Sequence, residues 1–175
     1  RFADLPAETR ARYRRFLLDT VAVMAAGAAH PTLRAARAAL VRSGGEGASS
    51  TLGFAGKVPG AVAALVNGAA MTPLQLQDGH RRARGHPMSH ALPAALAIAE
   101  ETGATTEAFL DAIVAGYEVS ARIGAALGGM QPLLHDTGTF GAIGAGVSAA
   151  HLLADDANRE IMIARAIGNA AAVAL

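Results

Sequence analysis

Apolar positions recur along this chain with the period of helices almost from end to end. Asp4 and Pro6 form a helix start, and Phe16, Leu17, Val21 and Met24 give an apolar stripe that runs to Gly27. Pro31 opens a second helix carrying Leu33, Ala36 and Leu40, which stops at Gly44-Gly45. The stretch "ASSTLGF", 48–54, reads as a linker or one short strand, and Pro59 opens a third helix that reaches Ala70. Residues 91–102 are expected to be helical and to end at Gly103. Thr105-Thr106 then caps an amphipathic helix from Glu107 to Leu127, with Phe109, Ile113, Tyr117 and Ile123 near helical spacing. Two apolar helices follow, over 141–154 and 158–175. No strand series and no fixed-period repeat emerges, so the expected fold class is all-α, one helical domain over 1–175.

Two polar segments interrupt this pattern. "QLQDGHRRARGHPMSH", 75–90, holds three of the six histidines, three arginines and an aspartate. "LGGMQPLLHDTGTFG", 127–141, is a second irregular segment with a histidine, a carboxylate and two threonines ahead of a helix start.

Composition narrows what such segments can do. The chain is 52% hydrophobic but only 4% aromatic, and alanine supplies about a quarter of it, so the core is expected to be tightly packed helices. The net charge of +1 provides no global field toward DNA or a membrane surface. The longest uncharged stretches are broken by proline and glycine and do not read as bilayer spans. Without cysteine there is no disulfide, no thiol chemistry and no cysteine-ligated cluster, in agreement with a cytoplasmic setting. The first residue is not methionine and the last, Leu175, lies in an apolar run, so both ends read as cut.

Four chemistries compete for the polar segments. Asp78, His80, His86 and His90 are feasible metal ligands, but Pro87 stands between His86 and His90 and argues against a shared helix face. No metal site is expected. The arginines lack the aromatic interleaving of a nucleic-acid surface. "GAGVSA", 144–149, fits a dinucleotide fingerprint formally, yet no strand precedes it, and close helix packing through Gly141, Gly144 and Ala145 is the better account. Ser89 beside His90 has no triad geometry. Acid/base work on an anionic small molecule fits best, because imidazoles titrate near neutrality and arginines clamp carboxylates. His30, His90 and His151 are read as surface or satisfied core residues.

Three ordered blocks carry a family resemblance: "PGAVAALVNGAAMTPLQLQDGHRRARGHPMSHALPAALAIAEETG", "AIVAGYEVSARIG" and "LLHDTGTFGAIGAGVSAAHLL". Together they resemble the MmgE/PrpD family, which includes 2-methylcitrate dehydratase, cis-aconitate decarboxylase and iminodisuccinate epimerase. The resemblance implies a helical domain of the MmgE/PrpD type, here truncated and without the family's α/β lid domain. It also implies a homodimer, no cofactor, and a small polycarboxylate substrate, with no nucleic-acid or membrane partner. His86 falls on the family's active-site histidine and His135 on the histidine of its second loop. Asp78 and His80 are expected to tune them as part of the catalytic set, and Gln75, Arg81, Arg84 and Thr137 to bind substrate. The implied reaction is that of a hydro-lyase, with decarboxylase, epimerase or a non-catalytic anion-binding scaffold as alternatives. Gln75 and Gly79 depart from the family's usual Asp and Thr, Met88 replaces a common glycine, and the family's lysines lie beyond this region.

Overall fold

The computed structural model describes residues 1–128 and 135–174. Among them the helices are α1 (Ala7–Ala28), α2 (Pro31–Gly44), α3 (Gly60–Ala70), α4 (Pro87–Thr102), α5 (Thr106–Ala126), α6 (Phe140–Leu153) and α7 (Arg159–Ala174). The all-α expectation holds, with one small addition. Strands β1 (Ser49–Ser50) and β2 (Lys57–Val58) pair antiparallel, Ser49 opposite Val58. Pattern reading cannot find a two-residue strand, because no alternation has room to develop.

α6 lies at the centre, packed against α4, α5 and α7. The core around it holds Met88, Leu92, Ile113, Tyr117 and Phe140, with Phe2 and Tyr13 closing one end. α5 and α6 cross where Gly116 meets Gly144. A Cβ on Gly144 would sit 2.7 Å from the Ser120 Cβ and 2.8 Å from the Gly116 carbonyl oxygen. The "GAGVSA" segment is therefore the middle of a packed helix, as its surroundings in the sequence suggested. Buried hydroxyls are satisfied across the same crossing: Ser148 donates to the Ala112 carbonyl at 3.0 Å and Ser120 to the Phe140 carbonyl at 3.1 Å.

Most helix ends match the sequence signals. Thr105 accepts from the Ala108 N–H, and Gly103 ends α4 in a left-handed conformation. The exception is the start of α4, which begins at Pro87 rather than at residue 91. Proline is favoured at a first helical position, where its missing N–H has no helical partner to lose. Pro87 therefore opens the helix where it was expected to interrupt one. No single helix among the described residues is long and apolar enough to cross a membrane.

Lys57, the lone lysine, ties the β-pair to α4. Its ammonium lies 3.2 Å from Glu100 Oε1, and the Ser50 N–H and hydroxyl also donate to that carboxylate. Burial alone would raise the Glu100 carboxyl, but Ser50 and Lys57 outweigh it and hold it below its usual 4.5. A carboxylate depressed in the folded state contributes stability that is complete above pH 4.5 and lost as pH falls. Glu100→Gln is therefore expected to unfold at lower urea than the wild type at neutral pH, with the gap closing in acid. A gap that stayed constant with pH would assign the loss to packing instead.

Candidate active site

The chain between α3 and α4 is organised by Asp78. Its carboxylate accepts from the Met88 and Ser89 N–H groups, both at 3.1 Å, and from the Ser89 hydroxyl at 3.2 Å. These are first-turn donors, of which the Ser89 N–H also reaches the His86 carbonyl at 3.1 Å, so Asp78 caps α4 from ten and eleven residues away. Burial raises its carboxyl above the usual 3.8, against the opposing pull of these hydrogen bonds and of His86. The Asp78 backbone also contributes, since its carbonyl lies 2.5 Å from His86 Nδ1. Asp78 thus positions His86 through its main chain while its side chain holds the helix start.

A second carboxylate, Asp136, joins the two polar segments. Its side chain is 2% exposed, Oδ2 accepts from the His86 N–H at 2.5 Å, and Oδ1 lies 2.7 Å from His135 Nδ1. Gly85 permits this approach, because a Cβ there would stand 2.6 Å from the Phe140 ring and 2.7 Å from Asp136 Oδ2. The result brings His86 and His135 face to face, ring centroids 6.0 Å apart and planes within 20°. Asp136 carries no mark in the sequence beyond being a carboxylate beside His135; its contact with His86 spans 50 residues.

The partners at Nδ1 act on the tautomer of each ring. A carbonyl can only accept, so His86 Nδ1 carries the proton and its Nε2 is bare when the ring is neutral. His135 Nδ1 faces Asp136 at 2.7 Å, Thr137 Oγ1 at 2.9 Å and the Thr137 N–H at 3.3 Å. The carboxylate calls for a proton on Nδ1 and the Thr137 N–H for a lone pair there, so these two partners act in opposite senses on the His135 ring. His90 repeats the arrangement of His86, its Nδ1 donating to the His86 carbonyl at 2.9 Å. Pro87 does not separate His86 from His90, as the sequence suggested it would. By starting the helix, it places them one turn apart and in contact.

The remaining expected residues occupy different places. His80 Nδ1 accepts from the Ala83 N–H at 3.0 Å, which leaves the proton on Nε2, and its ring packs edge-on against Tyr117. Burial, then the charges of Asp78 and Glu118, push the Tyr117 hydroxyl up to about 12. His80 and Gly85 pair through the backbone at 2.8 Å, closing a tight loop that inserts Ala83 into the core and leaves Arg81, Arg82 and Arg84 exposed. The Arg84 N–H donates to the His80 carbonyl at 2.8 Å, but no side-chain hydrogen bond or ion pair engages these arginines among the described residues. Gln75 sits at a left-handed φ of 52° with its amide donating to the Thr72 carbonyl at 3.0 Å. Gly79 stands in open space, with nothing within 4 Å of where a Cβ would be. Of the second segment, residues 129–134 lie outside the described residues.

Donor atoms of His86, His135 and Asp136 all lie within 4.8 Å of one another, the spacing that a cation would need. Two histidines and a carboxylate suit a divalent transition metal. Here, however, Asp136 Oδ2 already accepts from the His86 N–H, and Oδ1 faces His135 Nδ1 at 2.7 Å.

Two measurements check this geometry. Asp136→Ala leaves the His86 N–H buried without an acceptor, and a loss of about 1–3 kcal/mol in urea unfolding is expected. Asp136→Asn, whose amide oxygen can still accept, should recover part of it; equal losses would count against the bond. Burial lowers the His90 ring below its usual 6.5, opposed by Asp136, the bond to His86 and Asp78. The unfolded chain then binds more protons, so stability from His90 is complete above pH 6.5 and lost as pH falls. His90→Gln should flatten that slope of unfolding free energy against pH, and an unaltered slope would refute the assignment.

Residues 1–174 match the model of the MmgE/PrpD N-terminal domain. The chain is 30% identical over 175 residues to the cis-aconitate decarboxylase-like protein oryM of Aspergillus oryzae, a match covering 93% of this chain and 36% of that protein. It is 32% identical over 136 residues to cis-aconitate decarboxylase of Aspergillus terreus, covering 74% of this chain and 28% of that protein. These matches span about a third of the length of the curated relatives, and the family match runs through both polar segments and the helices that hold them. The chain belongs to the MmgE/PrpD family.

Proposed function

We propose that this chain supplies the acid/base wall of a lyase site for a small di- or tricarboxylate. The observation that carries the reading is the His86–His135 pair. The two rings stack with centroids 6.0 Å apart, and each offers a ring nitrogen to a cluster with Asp136 whose donor atoms lie within 4.8 Å of one another, so both imidazoles can act on one small substrate. Each ring is engaged at Nδ1, and neither Nε2 has a hydrogen-bond partner among the described residues. The starts of α4 and α6 flank them, and the exposed arginines of the 80–85 loop add positive charge nearby.

The chemistry divides between the two rings. A neutral Nε2 accepts a proton from a carbon beside a carboxylate, and for His135 the Asp136 carboxylate stabilises the imidazolium that forms. A protonated Nε2 works in the opposite sense. In decarboxylation, the electrons of the breaking C–C bond stay on the substrate, carbon dioxide leaves, and the imidazolium protonates the carbon. The names of the relatives favour this version, with cis-aconitate as the substrate to test first. Dehydration is the second reading. It needs a base for the carbon-bound proton and an acid for the departing hydroxide at once, and two facing imidazoles offer both.

The full-length protein incubated with cis-aconitate, 2-methylcitrate and citrate should release carbon dioxide or change alkene absorbance with at least one of them. His86→Ala and His135→Ala are each expected to lower turnover by about 10²–10⁴-fold, the usual weight of a positioned acid or base. Dialysis against EDTA should leave the rate unchanged. Undiminished turnover in both variants would refute the assignment. Binding of these acids without turnover would favour an anion-binding scaffold, consistent with Gln75 being unable to transfer protons.

A further inference from the structure

A cleft of about 390 Å³ opens between α3, α4 and α6, a size within the usual range of small-molecule sites. Its walls are apolar, built from Leu65 and Ala69 of α3, Pro93 of α4, and Ala142 and Ala145 of α6. Its polar edge is Thr72, Ser89, His90 and Thr137. Each of these four is hydrogen-bonded to a residue of the polar segments: Thr72 to Gln75, Ser89 to Asp78, His90 to His86, and Thr137 to His135. The cleft thus borders the histidine cluster and shares its hydrogen-bonded framework, through His90 and Thr137 above all.

Two features define what would occupy it. No Lys, Arg, Asp or Glu lines the cleft, so a second carboxylate placed there would lose its hydration without a compensating cation. His90 meanwhile has its Nδ1–H committed to the His86 carbonyl. Its Nε2 has no hydrogen-bond partner among the described residues, and the residue lines the cleft. A bare imidazole nitrogen on an apolar wall is an acceptor awaiting a neutral donor such as a hydroxyl.

We infer that this cleft is the subsite for an uncharged aliphatic arm of the substrate, with His90 Nε2 accepting a hydrogen bond from a hydroxyl on that arm. The inference rests on the reading of His86 and His135 as the carboxylate site. It makes the preferred ligand a small dicarboxylate that carries an alkyl or hydroxyalkyl branch, in place of a third carboxylate.

Calorimetric titration of the full-length protein with succinate, 2-methylsuccinate, 2-propylsuccinate and 2-pentylsuccinate tests the cleft. Affinity should rise about three- to fourfold per methylene until the space is filled. Ala145→Leu and Ala69→Leu, which fill it from opposite walls, should flatten the series while leaving succinate itself unchanged. Succinate binding with no gain from the branch, or a gain that survives both variants, would overturn the subsite and leave the carboxylate site standing. Absence of succinate binding altogether would overturn both. The isosteric pair 2-pentylsuccinate and 2-(4-hydroxybutyl)succinate tests His90. His90→Leu should shift their affinity ratio about three- to tenfold against the hydroxyl, and His90→Gln, which retains an acceptor, should shift it less. A ratio unchanged by His90→Leu would remove His90 from the subsite.

Discussion

A buried carboxylate, Asp136, is the constraint on which the arrangement depends. Removing a charge from water is unfavourable unless hydrogen bonds replace the lost solvation. Asp136 meets that demand with the His86 N–H on one oxygen and the His135 ring on the other. The same two bonds fix the relation between the segment that leads into α4 and the one that leads into α6. Asp78 complements it from the other side, holding the first turn of α4 and the His86 ring. The two imidazoles are therefore set by main-chain positions at helix starts rather than by flexible loop side chains. Sites built on such rigid elements keep their geometry better than sites on free loops.

The helical architecture was largely legible in the sequence, and the reasons are local. Pro31, Pro59 and Thr105 mark starts, and Gly44-Gly45 and Gly103 mark stops, through backbone properties that each residue carries wherever it occurs. The start of α4 was not, because proline signals both the interruption and the opening of a helix. Which applies at Pro87 depends on Asp78 reaching across to cap the first turn, a contact between segments. The β1–β2 pair was lost for a different reason: its hydrogen bonds and the Glu100 carboxylate behind it come from tertiary placement, not from alternation.

The site divides in the same way. His86 and His135 stand out because titratable side chains are conspicuous in an alanine-rich chain and lie in two of the blocks that carry the family resemblance. Asp136 and His90 do not, because what makes them important is burial and pairing with His86, in one case from 50 residues away. His80 shows the converse. It is as conspicuous as His86 in the sequence, yet its ring turns toward Tyr117 and its Nδ1 is taken by its own loop. Gln75 likewise folds back on the Thr72 carbonyl.

The small loop closed by His80 and Gly85 has an evolutionary consequence. Ala83 anchors it in the core, against the place where Gly124 lets α5 come close, while the side chains at 81, 82 and 84 project outward. Fold stability is carried by the anchor and the backbone pairing; surface charge is carried by the three neighbours. The two properties are separable by point mutation. A lineage can therefore change the charge carried on this surface, one arginine at a time, without disturbing the anchor beneath it.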